Sequence, residues 1–330
     1  MDKEQSFEAA ARDFELFAAE RGCQFDHATV KSIFASIAAS RLLVVYGMGE
    51  AEFRRLMLLL TGYFETAVYL DRVDASYTDS ESALFKPDGT GNRAKTHLFS
   101  AIESARNIKH AVHFAALDNV SAAELTQYFT PYISYVKNPF GNSHVTVTGE
   151  RGGELSYYIP RNLWLVLNLA KGETPDKLPA FVAEVASCNH FSFSECKTEG
   201  QHSPVRKFSY YQLEHLSEKA VSKTSLPEEM WKRIDRIEEQ VSRRTPFAMG
   251  NKLWLCLEKY AYVYVACGGD AADAIDRAAA AKLMAAALSA LAALPRDDER
   301  SFGETVETIL GEDRAEACKK LIKACEDARA

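Results

Sequence analysis

The sequence has no long uninterrupted apolar run. Its two nearest approaches are 253–267, broken by Glu258 and Lys259, and Ala278–Leu294, broken by Lys282. A membrane-spanning helix needs about 20 consecutive apolar residues, so both segments are expected as buried helices and no membrane partner is expected. The chain also lacks an excess of positive charge. Lys and Arg total 39 against 46 Asp and Glu, a net charge of −7, which argues against a general nucleic-acid coat. It lacks a disulfide pattern as well. The seven cysteines are odd in number and widely scattered, as expected of reduced thiols. The opening segment MDKEQSFEAAARDFELF is charged and amphipathic, without the apolar centre of a secretory leader, so a cytoplasmic location is expected. No internal repeat is evident.

What is present is ordinary for a globular chain: 330 residues, 47% hydrophobic and 26% charged, enough for one large or two medium domains with a sizeable core. Apolar periodicity predicts helices over 5–21 and 27–39. A β-branched run, Leu42–Tyr46, then meets a glycine turn, Gly47 and Gly49. A helix follows, with Phe53, Leu56, Met57 and Leu60 as its apolar positions. Further strands are expected at 67–73, 111–117, 143–148, 154–159, 162–169 and 187–193, the third and fourth of these flanking the turn Arg151-Gly152-Gly153. Helices are expected at 95–106 and 122–136. Strands that alternate with helices imply an α/β domain with a largely parallel sheet. After about residue 205 helical periodicity takes over, in segments 209–220, 227–242, 249–267, 270–292, 301–310 and 313–328. The chain is therefore expected to divide into an α/β domain over 1–200 and a helical domain over 201–330.

The segment RLLVVYGMGEAEFRRLMLLL has the strand–turn–helix frame of a phosphate-binding loop. A working loop reads G-x-x-x-x-G-K-[ST], because backbone N–H groups and a lysine cradle phosphates while a hydroxyl holds Mg²⁺. Counted from Gly47, the second glycine falls on Glu52, the lysine on Phe53 and the hydroxyl residue on Arg54. Glu50 and Glu52 place negative charge where phosphate would sit, and Arg54 or Arg55 is available as a replacement cation. The run HFAALDN ends in Asp118, a candidate metal-holding residue, with Asn119 where a water-activating glutamate would follow. An amide orients water but takes no proton from it.

Other clusters carry less. Cys188, His190, Cys196 and His202 have the spacing C-x-H-x5-C-x5-H, which matches no common zinc pattern, so packing and solvent exposure are the expected roles. His97, His110 and His113 have no nucleophile that spacing assigns to them. Arg54-Arg55, Arg243-Arg244 and the run Cys318–Lys323 read as solvated helix faces among acidic neighbours. Tyr260, Tyr262 and Tyr264, beside Trp254, read as core or interface packing.

Taken together, these pieces resemble an AAA+ ATPase domain of the methylcytosine-restriction (McrB-like) type. LDNVSAAELTQYF (Leu117–Phe129) is similar to that family's LDEMN-type strand end and following helix. VDASYTDSESALF (Val73–Phe85) resembles the loop after its second strand. IPRNLWLVLNLAKGET (Ile159–Thr174) is similar to the stretch leading to its sensor-1 strand. TPFAMGNKLWLCLEKYAYVY resembles the lid segment bearing the sensor-2 residue, and AAAAKLMAAALSAL and KKLIKACEDARA resemble the closing helices of the lid.

The resemblance spans roughly 28–330. It implies an α/β P-loop NTPase-like (AAA+) fold, a mostly parallel sheet flanked by helices and followed by a helical lid. It also implies losses. Phe53 stands for the lysine, Arg54 for the hydroxyl and Asn119 for the catalytic glutamate. The sensor-1 asparagine falls on Ala170, or on Asn168 if the register slips by two. The arginine finger falls on Glu184-Val185-Ala186, and the sensor-2 arginine on Lys252, which keeps its charge. Only Asp118 matches outright among the phosphate and metal groups.

The expectation is a catalytically inactive protein without cofactor. It would have a structural or regulatory role in a bacterial assembly, with protein partners that include itself or an active AAA+ subunit. The alternative is ATP or GTP with Mg²⁺ in an altered site made by the Gly47–Gly49 amides, Arg54, Lys252 and Asp118. A nucleic-acid adaptor acting through the lid is a third, less expected reading.

Overall fold

A computed structural model describes residues 6–87, 90, 93–136, 144–148, 154–196, 208–291, 296–311 and 314–328. The chain forms two compact units that cut across the expected division at 200: one takes 41–173 with 207–211, the other 1–40, 174–206 and 212–330.

The second of these units opens with helix α1 (Phe7–Ala19), strand β1 (Cys23–Phe25) and helix α2 (His27–Ala39). Ser6 caps α1 and Asp26 caps α2, each accepting a hydrogen bond from the first turn as a short polar side chain does best. Phe7, Phe14 and Phe34 pack edge-on between the two helices.

The α/β unit begins at β2 (Leu42–Val45) and continues through α3 (Glu50–Tyr63), β3 (Tyr69–Arg72), β4 (Phe85–Pro87), β5 (Arg93–Lys95), α4 (His97–Asn107), β6 (His113–Val120), α5 (Ala122–Glu124), α6 (Thr130–Val136), β7 (His144–Thr148), β8 (Glu154–Tyr158) and β9 (Leu163–Leu169). Strands β2, β9, β6 and β3 lie side by side in that order, all parallel. All residues of β2 and β9 are buried. This is why they read as continuous apolar runs: a parallel sheet has both faces covered. The helix expected over 122–136 is interrupted by a π-helical turn at Leu125–Phe129, which separates α5 from α6. Strands β7 and β8 fall where strands are expected and pair antiparallel; the turn Arg151-Gly152-Gly153 between them lies outside the described residues.

Asn162 explains part of the I-P-x-N-L stretch as structure. It is buried, and its Nδ2 donates to the carbonyls of Ala105 at 3.2 Å, Ile108 at 3.0 Å and Ala111 at 2.9 Å. One side chain thus ties the last turn of α4 and the segment after it to the residue that precedes β9.

The remaining elements are α7 (Ala180–Ala183), β10 (Ser187–Asn189), β11 (Phe193–Glu195), α8 (Tyr210–Lys223), α9 (Glu228–Ser242), α10 (Asn251–Ala266), α11 (Ala271–Ala278), α12 (Ala285–Leu291), α13 (Arg296–Leu310) and α14 (Glu316–Asp327). A π-helical stretch, Ala279–Met284, joins α11 to α12. Strand β11 pairs antiparallel with β1, a pairing that the sequence analysis does not anticipate. Lys282, which interrupts the alanine-rich run, is completely buried, and its Nζ donates to the carbonyls of Val185 at 3.1 Å and Ala186 at 2.6 Å. Asp276, also buried, receives the N–H groups of Ala317 at 2.6 Å and Cys318 at 3.1 Å and so caps the start of α14. Among the described residues no helix is long and apolar enough to cross a membrane.

Candidate functional site

In open α/β sheets, ligands gather at the carboxyl ends of the parallel strands. Here register brings one row of residues to that edge. Val45 of β2 lies beside Asn168 of β9, and Arg72 of β3 lies beside Asp118 of β6. Asn168 closes the row by donating from Nδ2 to Asp118 Oδ1 at 2.7 Å, and it donates as well to the Met48 carbonyl at 3.1 Å. Both side chains are buried. Of the two residues that the sequence analysis weighs, Asn168 is the one bonded to Asp118. Ala170 lies one residue past the end of β9, where its N–H donates to Val120.

Asp118 is not the end of its strand, as expected from the sequence, because β6 runs on to Val120 through an irregularity between Leu117 and Val120. Asn119 takes a left-handed backbone there, φ 62°, a conformation that asparagine tolerates better than most residues. Its Nδ2 donates to the Val73 carbonyl at 3.2 Å, while the Asp118 carbonyl accepts the Val73 N–H at 2.9 Å. Asn119 is thereby committed to fastening the loop after β3.

The turn itself is shorter than the motif count implies. Gly47 has φ 70°, which suits glycine. Met48 is buried, Gly49 is the N-cap, and α3 begins at Glu50. A phosphate cradle keeps its residues extended around the anion up to the second glycine and the lysine. In this chain Glu50, Ala51 and Glu52 are already helical. Glu52 folds back so that its carboxylate accepts the Gly49 N–H at 3.0 Å, and the Phe53 N–H donates to the Gly49 carbonyl at 2.9 Å.

The remaining side chains are equally placed. Phe53 has no exposure at all and lies in the core, on the face of α3 that also buries Leu56, Met57 and Leu60. Glu50 and Arg72 form an exposed ion pair. Both acidic residues suit the positive end of the helix dipole. Arg54 is exposed. Lys252 is the second residue of α10, in the other unit from Asp118.

These residues do not fit a magnesium–triphosphate group. The cation position is core, the hydroxyl position is a guanidinium, and one N–H of the turn already holds a carboxylate. Asn168 Oδ1 is buried without a hydrogen-bond partner, but a lone amide oxygen beside one carboxylate is not a magnesium site. Among the described residues no group of three or more His, Cys, Asp or Glu is disposed to hold a metal ion.

The Cys188–His190 pair does not share a strand face. Strand β10 stops at Asn189, leaving Cys188 buried and His190 exposed beyond the end. Burial raises the Cys188 thiol pKa to about 12, so it stays protonated near neutral pH. His202 lies outside the described residues. Within the arginine-finger stretch, the Val185 and Ala186 carbonyls are taken by Lys282. Sequence reasoning missed Arg72, and nothing local marks it, since its ion-pair partner is Glu50 on a different element.

No protein-family model and no curated protein sequence matches this chain. Among solved structures it is similar to a "putative ATPase" from Cytophaga hutchinsonii ATCC 33406, with a TM-score of 0.57 and 12% sequence identity, over 92% of this chain and 94% of that one. At that identity the likeness is one of fold. The fold is α/β and like that of an ATPase P-loop domain, with a central parallel sheet flanked by helices and a helical C-terminal part.

Proposed function

We propose that this chain is a catalytically inactive AAA+-like protein, of McrB-like type, with a structural or regulatory role in a bacterial assembly. Its partners would be proteins: a second copy of itself or an active AAA+ subunit. The observation that carries this reading is the early start of α3 at Glu50. Four backbone N–H groups at a helix start are free to bind an anion only if nothing else claims them. Here the Glu52 carboxylate claims the Gly49 N–H and puts a negative charge where an anion would approach.

Charge acts in the same direction. Two like unit charges 4 Å apart repel by about 1 kcal/mol in water and about 4 kcal/mol at an effective dielectric of 20. Glu50 and Glu52 are exposed, which favours the lower figure. Even so, repulsion adds to the missing lysine rather than offsetting it. The Asn168–Asp118 bond supports a scaffolding role for what remains of the row, since it ties two strands and the turn together.

The direct test is phosphate release from ATP and GTP with Mg²⁺, compared with Asp118→Asn. Release at the background level in both proteins supports the proposal. Release that the substitution abolishes overturns it in favour of an altered but working nucleotide site.

A further inference from the structure

Two of the chain's three tryptophans meet at the surface of the helical unit. Trp231 of α9 lies 5.6 Å from Trp254 of α10, with the ring planes at 51°, and 5.7 Å from Tyr262 of α10, nearly perpendicular at 77°. All three residues are partly exposed. Positions 254, 258 and 262 are spaced by four, so on a helix they form one stripe. Glu258 therefore sits between Trp254 and Tyr262, close enough that its charge helps to raise the Tyr262 pKa, behind the larger effect of burial.

Two features separate this cluster from ordinary helix packing. First, several other aromatic rings in the protein carry a cation of their own: Arg41 lies 3.8 Å from the Trp164 ring centre, and Lys86 lies 3.7 Å from that of Tyr77. Among the described residues none lies over Trp231, Trp254 or Tyr262. Second, the Glu258 carboxylate has no ion-pair or hydrogen-bond partner among the described residues. The next-door Leu255 is 62% exposed, adding an apolar margin.

Aromatic faces attract cations through the negative face of the ring, tryptophan most strongly. Alkylated ammonium ions suit such a site best, because they are weakly hydrated and lose little on leaving water. An adjacent unpaired carboxylate adds direct attraction. We propose that Trp231, Trp254, Tyr262 and Glu258 form a binding site for an organic ammonium ion, carried either by a choline-like small molecule or by a methylated lysine side chain. This inference is independent of the reading of the Gly47 turn.

The test uses the intrinsic fluorescence of the full chain. The third tryptophan, Trp164, is completely buried and belongs to the other unit, so the two site tryptophans are the ones a surface ligand reaches. The protein is titrated at constant ionic strength with choline chloride, with choline's uncharged carbon isostere (a tert-butyl group replacing trimethylammonium), and with a short peptide bearing trimethyl-lysine. A saturable change with choline or the peptide is expected, at least about fivefold weaker for the isostere and about fivefold weaker in Glu258→Gln. The tighter of choline and peptide identifies the source of the ammonium group. Glu258→Gln replaces a partly exposed residue by its isostere, and a thermal midpoint matching the parent confirms that it folds. The proposal is overturned if neither choline nor peptide gives a saturable change, if the isostere binds as well as choline, or if the folded Glu258→Gln protein binds as tightly as the parent.

Discussion

Asn168 holds Asp118 in place: the amide Nδ2 donates to the carboxylate at 2.7 Å, and the same nitrogen donates to the Met48 carbonyl at 3.1 Å. One side chain on β9 thus secures the buried acid of β6 and the turn that precedes α3. Ligands of open α/β sheets gather at this edge; here Asn168 bonds the turn before α3.

Removing that link is costly because its partners are buried. Asn168→Ala leaves the Met48 carbonyl and the Asp118 carboxylate short of a donor, and each such loss costs about 1–3 kcal/mol. Urea titration should show destabilisation of that size. Asn168→Asp should be worse at neutral pH, where two carboxylates face each other, and should recover part of the loss on acidification. A change below about 0.5 kcal/mol for Asn168→Ala, within the range of an ordinary surface substitution, would show that the link carries no weight.

Restoring the motif's lysine should fail. Phe53 has no exposure, so Phe53→Lys forces an ammonium group into the core. Truncation of a core phenylalanine already costs about 3–5 kcal/mol, and the lysine variant should lose at least as much in a chemical-denaturation experiment. It should gain no affinity for MgATP. A stable Phe53→Lys protein that binds MgATP would mean that α3 can shift to re-form a cradle.

Lys282 gives a pH dependence with a defined sign. Burial lowers its pKa below the ordinary 10.5, with Cys256 and Cys188 pulling the other way. The folded state therefore releases this proton at lower pH than the unfolded state does. Stability supplied by this group rises with pH between the folded pKa and 10.5 and is constant below both. Buried tyrosines and cysteines, such as Tyr260 and Cys188 with pKa values raised to about 12, act oppositely at high pH. The informative quantity is the difference between the parent and Lys282→Met. That difference should move in favour of the parent as pH rises, and a pH-independent difference would contradict the assignment.

Asp276 has the opposite sign. Burial raises its pKa above 3.8, against the hydrogen bonds from Ala317 and Cys318. The folded state keeps this proton longer than the unfolded state, so its contribution is largest at low pH and falls as pH rises from 3.8 through the folded value. Asp276→Asn keeps an acceptor for the α14 N–H groups and should flatten this part of the acid stability profile. Asp276→Ala removes the cap and should cost about 0.5–2 kcal/mol at low pH, where the Asp276 contribution is largest, measurable by denaturant titration.

Much of this architecture was legible from pattern alone. The runs at 42–45, 113–120 and 163–169 are buried strands because parallel strands need apolar side chains on both faces. The helices after 205 follow from their periodicity. Other features depend on partners far along the chain. The β1–β11 pair joins residues 23–25 to 193–195, and short strands carry almost no signal of their own. The π-helical stretches at 125–129 and 279–284 lie within segments that read as plain helix.

Residue types marked the site, but its geometry came from register. Register places Asn168, and not Ala170, level with Val45 across the sheet. The motif count placed Phe53 where a lysine would be, but no count could say that α3 begins at Glu50 and closes the turn. Strand β10 stops at Asn189, short of the 187–193 expected from pattern, because the end of a three-residue strand leaves little periodic signal.

The central claim is that the Gly47 turn takes no nucleotide, and the thermal midpoint measured with and without millimolar ATP or GTP plus Mg²⁺ tests it most directly. A ligand present at about 100 times its Kd stabilises by about 2.7 kcal/mol, which for a chain of this size raises the midpoint by roughly 4 °C. The account predicts an unchanged midpoint with both nucleotides. A rise of several degrees that Asp118→Asn removes would contradict it.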